Sequence, residues 1–193
     1  MRIVGGTARG LTLAPVGAGD AAAHLRPTSD RVREAIFNLL TNGRHARPLA
    51  GLRVLDLFAG TGALGLEALS RGAAHATFVD TGRAAQALVA RNIALMRVRD
   101  QTALRPLDVT ALPLNDGAAF DLVFLDPPYG KGLGGPALSR ARAGRWLAPD
   151  AMIVWEEAAP PDVPPGFDLL DQRRYGSTTV TLLRASAPSI ISD

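Results

Sequence analysis

Four consecutive residues, Asp126-Pro127-Pro128-Tyr129, hold the densest chemistry in the chain, and they follow the run Phe120-Asp121-Leu122-Val123-Phe124-Leu125. Two prolines stiffen the backbone through Asp126 and Pro127 and offer no N–H to a neighbouring strand. A carboxylate, a free proline carbonyl and an aromatic ring are therefore presented together at the end of an apolar strand. Two hydrogen-bond acceptors beside a ring suit a planar base that carries an exocyclic amino group. The plainer alternative for Asp126 is a carboxylate that caps a strand end.

A second cluster lies upstream. Gly60-Thr61-Gly62-Ala63-Leu64-Gly65 satisfies the GxGxxG spacing, follows a strand pattern and opens a helical one, and Asp80 lies 20 residues after Gly60. This is the spacing of a dinucleotide loop with an acidic residue for a ribose diol, so a nicotinamide enzyme is one reading. A glycine turn that merely packs helix on strand is another. Asp56 pulls away from a nicotinamide cofactor, because a pyrophosphate would meet its negative charge. A carboxylate there suits a cofactor with an ammonium or sulfonium group, and S-adenosylmethionine carries both. Its own carboxylate can sit at the helix N-terminus. Asp108 follows the third strand, where an adenine amino group would need an acceptor, unless it is simply a turn residue. No downstream histidine or Tyr-Lys pair suggests hydride transfer.

These residues need a frame. Hydrophobic patterning predicts strands at Arg53–Phe58, Ala76–Asp80, Thr102–Pro106, Phe120–Asp126 and Met152–Glu156, then a closing hairpin of Asp168–Arg174 and Thr178–Leu183. Helices are expected at Gly62–Ser70, Arg83–Met96 and Ala137–Trp146, with Ala87, Val89, Ala90, Ile93 and Ala94 facing inward on the second. Strands alternating with helices imply a mostly parallel sheet covered on both faces. Ahead of it, Arg2–Val4 and Leu11–Leu13 could pair as a short hairpin, residues 14–25 read as a mobile loop, and the stretch that follows Arg26 reads as a helix ended by Asn42-Gly43. Thr28, Ser29 or Asp30 would cap that helix, with Val32, Ala35, Ile36, Leu39 and Leu40 inward and Arg31 and Arg33 off the apolar stripe. The expected division is a basic extension over 1–47, a catalytic domain over 48–184 and a tail over 185–193.

Composition narrows the chemistry. The 193 residues contain no cysteine and 3 histidines, which removes disulfides, thiolate chemistry and a histidine-rich metal site. No apolar run approaches the ~20 residues of a membrane span, and MRIVGGTARG lacks the core of a signal peptide. A soluble, cytoplasmic, metal-free protein, working as a monomer, is expected. Residues 1–47 carry seven arginines against three acids, while the remainder holds 14 basic and 15 acidic residues. A basic head on a near-neutral body suits a polyanionic partner, although it could be plain solvated surface.

Asp56-Leu-Phe-Ala-Gly-Thr-Gly together with Asp126-Pro-Pro-Tyr129 resembles the class I S-adenosylmethionine-dependent amino-group methyltransferases. Arg2-Ile-Val-Gly-Gly and Arg26-Pro-Thr-Ser-Asp-Arg-Val-Arg-Glu-Ala-Ile-Phe-Asn narrow the resemblance to the RsmD family, which methylates guanine N2 in small-subunit (16S) ribosomal RNA. It runs from Met1 to about Arg184, ending with Tyr175-Gly-Ser-Thr-Thr-Val-Thr. The sequence departs from the family at Asp80-Thr81-Gly82-Arg83, where a second charge would follow the ribose acid. The resemblance implies an α/β, Rossmann-like sheet of seven mostly parallel strands, the last antiparallel, with a small N-terminal hairpin and helix. It implies S-adenosylmethionine on Asp56, Phe58, Gly60, Thr61, Gly62, Asp80, Asp108 and Asp126. Asp126 and the Pro127 carbonyl would hold the target amine, with Tyr129 stacked on the base. RNA would meet Arg9, Arg26, Thr28, Arg31 and Arg33. An N6-adenine or a protein-glutamine methyltransferase remains the alternative.

Overall fold

The computed structural model describes residues 1–16 and 29–186. Most of the expected loop over 14–25, together with Arg26, Thr28 and most of the tail, lies outside the described residues. In chain order the elements are α1 (Asp30–Asn42), β1 (Arg53–Leu57), α2 (Ala63–Ser70), β2 (His75–Val79), α3 (Arg83–Met96), β3 (Thr102–Arg105), β4 (Phe120–Leu125), α4 (Gly134–Ala143), β5 (Leu147–Glu157), β6 (Phe167–Tyr175) and β7 (Thr178–Ala185). Short 3-10 turns at Arg99–Gln101 and Val109–Ala111 flank β3.

The strands form one seven-stranded sheet in the order β3-β2-β1-β4-β5-β7-β6. Neighbours are parallel from β3 to β5, and β7 runs antiparallel to both β5 and β6. The chain leaves β1 toward one edge and returns at β4 toward the other. Leu57 pairs with Leu125 at the carboxyl ends of these two strands. In such sheets the crevice outside this reversal point is the ligand site, so the ends of β1 and β4 frame it.

Burial on both faces explains why the central strands read as continuous apolar runs. Leu122 and Phe124 join α1, α2 and α3 in one core, while Val123 and Leu125 join α4 in the other. The N-terminal segment is part of the first core: Ile3 and Leu13 are 0% and 2% exposed within it. The expected hairpin reduces to a single antiparallel bridge, Arg2 with Thr12, supported by the Ile3 N–H on the Leu11 carbonyl at 2.9 Å.

Three expectations are corrected. On α3 the buried residues are Ala85, Val89, Asn92 and Ile93, whereas Ala87, Ala90 and Ala94 are exposed. A methyl side chain is too small to decide a helix's phase; Val89 and Ile93 decide it. On α1, Arg33 is fully buried, not off the apolar stripe. Finally, α4 ends at Ala143, where Gly144 caps it, so Trp146 lies outside the helix. Ser29 is the N-cap of α1, its hydroxyl accepting from the Val32 N–H at 3.2 Å. No helix of the described residues is long and apolar enough to cross a membrane.

Candidate active site

The loop between β1 and α2 holds unusual backbone. Gly60 and Gly62 have φ of 55° and 74°, and Phe58, a bulky aromatic, has φ of 57°. Such a conformation is a genuine outlier for an aromatic residue and clusters at ligand sites. The Gly62 N–H closes the turn on the Ala59 carbonyl at 2.7 Å. Gly62 must be glycine for its left-handed φ and because a Cβ would crowd Phe78 and Val89 at 3.2 Å. Gly65 is fixed more tightly, since a Cβ there would lie 2.5 Å from the Phe78 ring.

Three carboxylates converge around this loop. Asp56, 2% exposed, accepts the Gly65 N–H at 2.9 Å. Burial pushes its carboxyl well above the usual carboxylate range, and the nearby Asp126 and Asp80 push it further, against the Gly65 hydrogen bond. Asp80 accepts the Gly60 N–H on one oxygen at 3.0 Å and the Gly82 N–H on the other at 2.8 Å. Gly82, where the family pattern would have a charged neighbourhood, thus contributes backbone. Asp126 follows β4, its N–H on the Leu57 carbonyl at 3.4 Å. Among the described residues, no group of three or more His, Asp or Glu is placed to hold a metal ion.

Asp108 stands apart. It is exposed, and one oxygen takes both the Thr110 N–H at 2.8 Å and the Thr110 hydroxyl at 2.7 Å. These bonds hold its carboxyl below the usual range. The structure therefore gives Asp108 a capping contact, with its second oxygen still an acceptor.

Beyond Asp126, Pro127 is buried and Pro128 exposed, and the half-buried Tyr129 bonds through its hydroxyl to Thr178 at 3.1 Å. The first residue of β7 thus positions the ring. Burial raises the Tyr129 phenol above its ordinary range, with the Thr178 bond opposing it. Gly130 donates its N–H to Glu157 at 3.3 Å, tying the loop after Tyr129 to the end of β5.

Residues singled out for neither cofactor nor base complete the frame. Asn92, on α3 and fully buried, donates to the Thr61 carbonyl at 2.9 Å and accepts the Ala14 N–H at 2.8 Å. Glu67 accepts the Val4 N–H at 2.8 Å, and Ser70 accepts the Ala8 N–H at 2.9 Å. The N-terminal segment is thereby fastened along α2, the helix that the glycine loop opens. Arg9 is exposed in the turn docked at the far end of that helix, about 12 Å along its axis from the loop.

Arg31 is exposed, but Arg33 corrects the expectation of an RNA-facing side chain. Its guanidinium bonds Asp30 and the Arg2 carbonyl, the latter at 2.6 Å. Burial pulls its pKa down, while Asp30, Glu67 and Glu156 oppose that by favouring the charge. Enclosed among acids, it holds α1 to the N-terminal segment. Arg26 and Thr28 lie outside the described residues.

A profile of the family described as Conserved hypothetical protein 95 matches residues 1–184. Ribosomal RNA small subunit methyltransferase D of Escherichia coli (strain K12) is 36% identical over 190 residues, 97% of this chain and 91% of that protein. The protein of the same name from Haemophilus influenzae is 35% identical over 188 residues, 94% of this chain and 92% of its own length. Among solved structures, yhhF from Escherichia coli superposes with a TM-score of 0.82 at 32% identity, covering 97% of this chain and 99% of that one. The strand order and the chemistry around the ends of β1 and β4 agree with a class I methyltransferase. The chain belongs to the Conserved hypothetical protein 95 family, the RsmD family of methyltransferases.

Proposed function

We propose that this protein transfers a methyl group from S-adenosylmethionine to the exocyclic N2 amine of a guanine in small-subunit ribosomal RNA. The observation that carries the reading is the meeting of Asp126-Pro127-Pro128-Tyr129 with the glycine loop at the paired ends of β4 and β1. The cofactor fits the residues present. Asp56 and Asp80 both bond the backbone of the glycine loop and its helix, so a pyrophosphate placed there would meet acidic side chains, which a cofactor without phosphates avoids. Asp80 keeps acceptor capacity on both oxygens for a ribose diol, since an ionised carboxylate offers about four lone-pair sites. Asp56 would face the cationic end, Asp108 the adenine, and Phe58, Gly60, Thr61 and Gly62 the body of the cofactor.

When bound, S-adenosylmethionine supplies a methyl group activated by its sulfonium. An exocyclic amine is a poor nucleophile because its lone pair is delocalised into the ring. Asp126 and the Pro127 carbonyl accept its two N–H bonds, turning the lone pair out of the ring plane and stabilising positive charge at that nitrogen. Tyr129 stacks on the base, which must leave its own stack at a cost of a few kcal/mol, least for an unpaired nucleotide. Guanine suits Asp126 because its N1–H is a further donor, whereas adenine N1 is an acceptor. The head over 1–47 carries exposed Arg9 and Arg31 to the phosphates. The relatives' names supply the ribosomal target.

Incubation with methyl-labelled S-adenosylmethionine and, in parallel, small ribosomal subunits, naked 16S RNA, DNA or ribosomal protein tests the reading. Label is expected in RNA. Label confined to protein or DNA would overturn it.

A further inference from the structure

The head's positive charge is placed differently from what its arginine count suggests. Arg33 is buried, Arg2 lies 3.6 Å from Asp30, and Arg47 donates to the Asp121 carbonyl. Arg9, Arg31 and Arg44 remain exposed, with no ion pair among the described residues. Two of these three belong to α1 and its end. Arg31, Ala35, Asn38 and Asn42 recur at i, i+4, i+7 and i+11, so they form one stripe along the helix. At 1.5 Å per residue the stripe runs about 16 Å, and Arg44 follows it.

The lower part of this stripe is a wall. Ala35, Asn38, Asn42 and Arg44 face Arg173 and Tyr175 of β6 across a groove of about 440 Å³. Tyr175 is half-buried, packed against the core beneath, while Arg173 is exposed and pairs with Asp171 at 2.9 Å. After Tyr175 the chain turns through Gly176 and Ser177 into Thr178, whose hydroxyl holds Tyr129. The groove and the base platform therefore share one hairpin turn.

We propose that this groove, continued by Arg31, holds the single-stranded RNA that flanks the target nucleotide. The inference rests on RNA being the substrate and names the surface that takes it. Arg31, Arg44 and Arg173 meet phosphates, and Tyr175 offers a ring to a flanking base. Asn38 and Asn42 both donate and accept, which suits base edges and 2′-hydroxyls. Basic grooves with an aromatic platform are how single strands are held without strict sequence preference. A polyanion suits this face because Arg31 and Arg44 are exposed and carry no ion pair among the described residues.

The test compares Arg44→Gln/Arg173→Gln with Arg91→Gln/Arg99→Gln, a pair of equal charge change on exposed residues elsewhere. Binding of naked 16S RNA is measured across a salt series, with thermal melts and S-adenosylhomocysteine affinity as controls for folding. The groove pair is expected to lose at least tenfold in RNA affinity and to flatten the log–log salt slope by about 1.4, the value for two single-strand phosphate contacts. The distal pair should stay within about twofold of the parent. Tyr175→Leu keeps the packing and removes the ring, so it should lower affinity several-fold with the slope unchanged. Equal losses from both pairs would overturn the proposal. So would a loss seen with assembled subunits but not with naked RNA, which would assign the groove to a ribosomal protein. A parent protein that binds no RNA at all would instead sink the substrate reading on which the groove depends.

Discussion

Asn92 donates its side-chain amide to the Thr61 carbonyl at 2.9 Å from a position with no solvent exposure. The same side chain accepts the Ala14 N–H. One residue on α3 therefore ties the glycine loop to the last described stretch before residue 17, so the loop's shape depends on the seating of the N-terminal segment.

Replacing Asn92 with Ala leaves a buried carbonyl and a buried N–H unpaired, each costing about 1–3 kcal/mol. Asn92→Ala should unfold at lower denaturant and bind S-adenosylhomocysteine at least tenfold more weakly. Denaturation curves and calorimetry check both, and unchanged cofactor affinity in a folded variant would show that the loop holds itself.

Tyr129 has two separable roles. Tyr129→Phe keeps the ring and loses the Thr178 bond, a net loss of about 0.5–1.5 kcal/mol, so kcat/KM should fall only several-fold. Tyr129→Ala should lose a further 1–3 kcal/mol, roughly the worth of one base stacked on an aromatic. Thr178→Val should match Tyr129→Phe, and the double variant Tyr129→Phe/Thr178→Val should be no worse than either. Additive losses would mean that the two hydroxyls act separately.

The raised carboxyl of Asp56 gives a signed pH dependence. Its pKa is higher folded than unfolded, so its contribution to stability is full at pH below the ordinary carboxylate value and is lost as pH rises through the raised one. Asp56→Asn should therefore make the cofactor-free protein more stable at neutral pH and flatten its stability–pH curve over that window. Binding a cationic ligand favours the ionised form, so the parent should release protons on binding within the window and Asp56→Asn should not. Calorimetry in buffers of different ionisation enthalpy measures this; equal proton release from both would place the titrating group elsewhere.

Arg33 and Arg31 are two residues apart and should behave oppositely. Arg33→Ala removes the buried guanidinium that bonds Asp30 and the Arg2 carbonyl, leaving that carbonyl without its donor, a change of the kind that costs about 1–3 kcal/mol. Arg31→Ala, on the exposed side, should shift stability by no more than about 0.5 kcal/mol. Urea midpoints decide, and equal midpoints would mean that Arg33 is dispensable to the fold.

Local signals were legible in the sequence: the GxGxxG spacing, the apolar run before Asp126, and the alternation of strands with helices. Each depends on a few neighbouring residues. The buried polar residues were not read, because each has a partner far away in the chain: Arg33 bonds the Arg2 carbonyl as well as the nearby Asp30, and Asn92 bonds Ala14 and Thr61. A trace was nevertheless present. Arg33 lies on the same helical face as Ile36, Phe37 and Leu40, Asn92 on that of Val89 and Ile93, and Glu67 among Leu64, Leu66 and Leu69 of α2. A polar side chain on an apolar face signals a buried hydrogen bond, and assigning faces by residue type alone turned Arg33 outward. Alanines misled in the other direction on α3.

The most direct measurement is the identity of the methylated nucleoside. Small subunits or 16S RNA lacking the modification are incubated with labelled S-adenosylmethionine and either the parent protein or Asp126→Ala, then digested to nucleosides and separated. The account predicts N2-methylguanosine as the labelled product with the parent, and none with Asp126→Ala although that variant still binds the cofactor. N6-methyladenosine, or undiminished N2-methylguanosine from Asp126→Ala, would contradict it.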